Sequence, residues 1–462
     1  MLPLRAAGEG YPAAGPEGTG RLGLPPWGTA ILVITSMTRT APETPDPSPV
    51  RFAWIDSRTS DLVWYIGSAA AGWLYAALIL WLGSGLENPE TDPVFTFRAG
   101  GLDIPVTLTV IVLWSWAFVL DGPHLWGTLG RTVMDPTERA TRGPVLWKSF
   151  LFFLAGPVTI LGLWLAGAAA GAPRLALAGT PVFYFLFRLW AYYHVVRQHW
   201  GFFRLYKRKA GDFDPAGDRA DAWYFNLAMY LPVALFLTAP WYPPPTGGFP
   251  DLGLNTAFVG GLSVARIIRP LSWILLAAGT AAYAGYQIMR YRRSQTVNGP
   301  KLMLLLATVP LHAAALSHPV LALFTIPLVT AGHNLQYHRI VWSYARKKYH
   351  SAAGGPPPRG KRQRPENPYG LARRIFSHPA VYALTGLVFT FALFRGPWID
   401  FLQSDIGAGL DGAMDRPGYP AVGQALFASF LVGWSLQHYY LDGIIWRVGS
   451  DAGVRKHLGI EG

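Results

Sequence analysis

The sequence predicts an all-α, polytopic membrane protein of about ten transmembrane helices with both termini in the cytoplasm. Three observations carry that expectation. Of 462 residues 51% are hydrophobic and only 14% charged, against ~25% charged in an ordinary soluble domain. Apolar stretches long enough to cross ~30 Å of hydrocarbon follow one another along most of the chain. Lys and Arg concentrate in alternate connections between them.

Residues 1–60 read as a poorly ordered N-terminal tail, rich in Gly, Pro, Ser and Thr up to residue 50. The apolar run Trp27–Met37 is too short to span a bilayer and lacks the basic flank of a signal peptide. Met37 is a second candidate start. Residues 61–446 form the predicted bundle, with spans near 62–84, 104–121, 149–171, 175–196, 222–240, 268–289, 302–316, 319–337, 379–395 and 421–440. The seventh is short. Span length and the lack of period-2 alternation favour helices over a barrel. Residues 447–462 form a short tail.

The connections after spans two, four, six and eight, with the C-terminal tail, hold 27 Lys and Arg; the opposite connections hold 4. Basic residues stay on the cytoplasmic side, so the imbalance orients the bundle and places the chain in a bacterial inner membrane. It also accounts for most of the net charge of +13, which on a soluble chain would point to nucleic acid. No nucleic-acid partner is expected; the expected partners are the bilayer and a hydrophobic small molecule. The basic loop 339–378, with Lys347, Lys348 and PPPRGKRQRP, reads as positive-inside bias. The apolar content excludes a disordered chain, and the absence of Cys excludes a disulfide scaffold or a thiolate metal site.

The chemistry rests on the 11 His. His124 follows span two in PHLWGT. His194 and His199 end span four in HVVRQH, His333 and His338 end span eight in HNLQYH, and His438 ends span ten in QHYYLD. On the predicted topology all six lie at one depth, near the cytoplasmic ends of four helices. Imidazole is the commonest metal ligand, and polar groups at membrane depth normally face a bundle interior. Asp442 lies one helical turn after His438 and Asp121 three residues before His124, so either carboxylate is a candidate ligand or outer partner. Gln198, Gln336 and Gln437 are further outer-partner candidates. The spacing within His194/His199 and His333/His338 is i, i+5, about 140° on an ideal helix. Each pair shares a site only where its helix bends. His312, His318, His350, His378 and His457 read as structural or solvated, and Arg131, Thr132, Asp135 and Glu138 as a solvated helix start. The nitrogen-rich set suits iron, one ion or two, as well as Zn or Cu.

At these helix ends the chain resembles histidine-rich integral-membrane non-haem iron oxidoreductases: the membrane fatty-acid desaturases and hydroxylases, and the polytopic carotenoid-cleaving dioxygenases of bacteria. The resemblance covers only the HVVRQH, HNLQYH, PHLWGT and QHYYLD patches. It implies iron, O₂, a lipid-like or isoprenoid substrate and an electron-donor protein for the reactions that need one. The chain departs from the H-x-x-H-H boxes of the desaturases, having no adjacent His pair. In length and span number it also resembles the membrane-bound O-acyltransferases, which use a single His as base. A lipid-modifying transferase with a His base, a bis-His haem protein and a metal transporter are therefore the alternatives to an oxidoreductase.

Overall fold

A computed structural model of the chain describes residues 49–89, 91–243, 251–350, 367–397 and 422–460. Residues 1–48 of the expected tail lie outside the described residues. The remainder of that segment is placed. Val50–Arg51 (β1) pairs in parallel with Val297–Asn298, Ile55 is buried, and its N–H donates to Asp61 Oδ2 at 2.6 Å.

Helices dominate the described residues. Arg58–Ile66 (α1) and Ala69–Gly83 (α2) meet at a 41° bend. The strands Pro93–Ala99 (β2) and Leu102–Thr107 (β3) form an exposed hairpin turned by Gly100 and Gly101 at positive φ, a conformation that favours Gly. The second predicted span therefore begins on a strand. π-helical turns follow at Val110–Trp114 and Trp116–Asp121 and lead into Gly122–Arg131 (α3). Next come Pro136–Ala169 (α4), Pro173–Lys209 (α5) and Pro215–Leu237 (α6). A small hairpin, Phe258–Val259 (β4) with Leu262–Ser263 (β5), precedes Val264–Arg292 (α7). Val297–Asn298 (β6) opens Gly299–Ser317 (α8), and Pro319–Leu323 (α9) leads to Thr325–His350 (α10). The chain continues through Gly370–Ile375 (α11), Pro379–Phe394 (α12), Gly423–Leu431 (α13), Gly433–Ile445 (α14) and Ala452–Leu458 (α15).

Among the described residues five helices, α4 to α8, are long and apolar enough to cross a membrane, and six if α1 and α2 count as one bent span. This is consistent with a membrane protein. The other predicted spans are interrupted: 319–337 breaks at Phe324, 421–440 at Val432, and α12 is shorter.

Local signals explain the helix ends. Asp135, Asp214, Ser263 and Asn298 cap α4, α6, α7 and α8 with side-chain oxygens that accept backbone N–H groups. Lys207, Arg208 and Lys209 close α5, where cations offset the negative end of the helix dipole. Two His read as structural also cap helices: His318 Nδ1 accepts from Leu321 N and His378 Nδ1 from Ala380 N.

Helix α10 is the hub, packed against α2, α3, α5, α8 and α15. In hydrocarbon, helices associate through close packing, so small residues sit where backbones meet. Gly332 lets α10 approach the Ser68 carbonyl, where a Cβ would lie 3.1 Å from its oxygen. Gly122 faces Thr390 of α12 so closely that any side chain would collide with it.

Candidate metal centre

Four helices each deliver one imidazole to a common point: His124 from α3, His194 from α5, His333 from α10 and His438 from α14. One ring nitrogen of each lies within 4.8 Å of the others, and all four residues are buried. The rings of His124 and His194 each face both other rings, with centroids 4.3 and 4.9 Å apart for His124 and 4.9 and 5.1 Å for His194. Ring nitrogens of all four are buried without a hydrogen-bond partner: both of His124, Nε2 of His194, Nδ1 of His333 and Nε2 of His438. Unsatisfied buried polar atoms are costly. An ion bound at about 2.1 Å holds nitrogens up to about 4.2 Å apart across it, so a small contraction of this group accommodates one.

The proton inventory strengthens the fit. Tyr337 OH and Thr128 Oγ1 both donate to Asp442 Oδ1, at 2.7 and 3.2 Å. The Thr128 oxygen, its proton so used, accepts from His438 Nδ1–H at 2.7 Å, which leaves a bare lone pair on His438 Nε2. Asp442 Oδ2 lies 3.6 Å from that nitrogen and 3.9 Å from His194 Nε2. A carboxylate oxygen facing lone pairs is repulsive until a cation stands among them. Asp442 thus serves as a fifth ligand or an outer partner, as its position one turn after His438 predicts.

Only one member of each i, i+5 pair joins the group. Helices α5 and α10 run through these positions without a break, so their second His projects onto another face. His338 Nδ1 meets Tyr382 OH at 2.8 Å, and its ring centroid is 6.3 Å from that of His124. His199 gives its Nδ1–H to Val195 O at 2.9 Å and turns toward His312, with centroids 5.5 Å apart. His312, read from sequence as structural and on the opposite face, is in fact buried beside the centre and meets Tyr192 OH at 3.1 Å. Asp121 pairs with Arg395 at 2.7 Å.

The Gln candidates serve the scaffold. Gln198 donates to His333 O, Gln336 to Tyr65 O and Gln437 to Ser149 Oγ. The outer partners are Thr128 and Tyr337, each one turn after a clustered His on the same helix face. That i, i+4 spacing is the signal that would have found them. Arg131, expected in a solvated helix start, is fully buried, its guanidinium 4.0 Å from the ring centroids of both Tyr344 and Trp446.

Beside the centre lies a mostly apolar cavity of about 620 Å³ between α5, α6, α10, α12 and α13. No clustered His lines it. Its nearest walls are their neighbours: Tyr439, stacked on His194 with centroids 4.4 Å apart, Val195, and Val329 one turn before His333. One layer of side chains separates cavity from imidazoles.

Fold and site together define a class: a helical, membrane-type protein with a buried four-His group able to hold a metal ion. No known protein family, curated protein or solved structure matches the chain.

Proposed function

We propose that the protein is a membrane-embedded, metal-dependent oxidoreductase that uses O₂ to oxidise a lipid-like or isoprenoid substrate, with iron the favoured ion and Zn or Cu the alternatives. The observation that carries this reading is the group of bare imidazole nitrogens one side-chain layer from an apolar cavity large enough for a small molecule. The ion, when bound, supplies O₂ activation. His124, His194, His333 and His438 hold it, and Asp442 with Thr128 fixes the His438 ring. The cavity takes the apolar chain and excludes water, and Tyr439 stands between chain and centre. Oxidative cleavage of a C=C bond places both O₂ atoms in the two carbonyl products and needs no further reductant. Desaturation needs two electrons from a donor protein and releases water.

In this reading the chain crosses a bacterial inner membrane ten times, with both termini and the metal centre toward the cytoplasm. The 27-to-4 distribution of Lys and Arg supports it. Four imidazoles within 4.8 Å favour one ion over a haem, whose macrocycle has no room among them, and over a lone His base.

Metal analysis of purified protein with an optical spectrum tests the reading. About one equivalent of iron per chain is expected, with no haem band. A metal-free preparation that still consumes substrate ends the oxidoreductase reading.

A further inference from the structure

The cavity wall carries a charge pattern that a purely hydrocarbon ligand does not need. Along an otherwise apolar lining it places Arg188 of α5, Arg395 just after α12, and Asp121 before α3. Arg395 and Asp121 form an ion pair. Arg188 leaves the wall with an excess of one positive charge. The nearby hydroxyls of Thr325 and Thr330 donate to their own helix carbonyls, Ala315 and Ala322 for the first and Ile326 for the second. Guanidinium at this depth is expensive, and such residues normally mark a ligand path. Arg188 also lies six residues before His194 on one unbroken helix, about 9 Å along its axis.

We infer that the cavity binds a single-chain amphiphile with an anionic head, a fatty-acid-like carboxylate, with its head at Arg188 and its chain running toward Tyr439 and the imidazoles. The inference rests on the proposed function for its substrate role, but the binding itself needs no metal. A guanidinium pairs with a carboxylate bidentately, which fixes the head, and the helix then sets the span to the centre. Oxidation falls at a set distance from the carboxyl end.

The test uses full-length protein in nanodiscs of zwitterionic lipid. Quenching of tryptophan fluorescence by a brominated long-chain fatty acid reports binding, since Trp116 lines the cavity. The methyl ester and alcohol of the same chain serve as neutral probes. The acid is expected to bind at least about tenfold tighter than either. Arg188→Gln should abolish that preference while leaving ester binding in place, and Arg188→Lys should keep part of it. Asp121→Asn, which removes the one carboxylate from the wall, should tighten the acid, a gain that misfolding cannot mimic. Equal binding of acid and ester by the unaltered protein overturns the inference, as does an equal loss of both in Arg188→Gln. Displacement of the acid by anionic phospholipid in the nanodisc also overturns it, because the head would then belong to a bilayer lipid. Metal content measured on the same samples separates the two readings. Metal without acid preference leaves the oxidoreductase standing and removes the amphiphile; acid preference without metal does the reverse.

Discussion

Two buried polar regions of this molecule invite comparison. At the base of α5, α6, α7 and α8, Lys207 and Lys301 meet Asp212 and Asp221 at hydrogen-bond distance, Arg290 joins Asp212 at 3.1 Å, and Tyr283 donates to Asp221 at 2.6 Å. Charges there neutralise one another. At the metal centre four imidazoles present lone pairs to one another, with a carboxylate oxygen added and no cation supplied by the chain. The first region is complete as it stands. The second is complete only with something bound. Burial alone does not mark a functional site; burial without partners does.

Substitutions should separate the two. The largest expected effect is at the centre: His333→Ala or His194→Ala should abolish stoichiometric metal binding, read by elemental analysis, whereas His338→Ala, outside the group, should retain it. Equal loss in all three would reduce the cluster to packing. Next, Lys301→Met leaves buried carboxylates uncompensated and should lower stability by roughly 3–5 kcal/mol, while the protein that remains folded binds metal normally. A smaller effect is tied to pH. Burial pushes the Asp212 carboxyl up, but Lys301, Lys207 and Arg290 outweigh it and hold the group below its ordinary value of 3.8. Its stabilising contribution is therefore present above that value and lost as pH falls through the lower folded value. Thermal unfolding should fall off in that acid range, and Asp212→Asn should flatten the decline.

Much of this was legible in the sequence. Spans four to seven fall on α5 to α8, and four of the six His singled out converge, because apolar length and basic asymmetry are local and additive signals. The rest depended on helix phase. Whether His199 joins His194 hinges on α5 staying straight, and nothing in HVVRQH states that. His312 was missed because depth inferred from span ends is coarse: α8 continues past its own predicted end and brings that ring beside His199. Arg131 looked solvated because the aromatic pair that covers it, Tyr344 and Trp446, lies far away in the chain.

The widened turn at Trp116–Asp121 has a consequence for how this chain can vary. A π-turn holds one residue more than the α-helical turn it replaces, so the angular setting of everything after it depends on that extra residue. Deleting one residue there would restore a regular helix and swing His124 by about 100° around α3. A single codon lost between 116 and 121 should thus remove a ligand without altering any of the four His, as metal analysis of such a deletion would register. Insertions and deletions in this stretch are constrained to the residue, while the hairpin just before it, exposed and turned by two Gly, is free to change length.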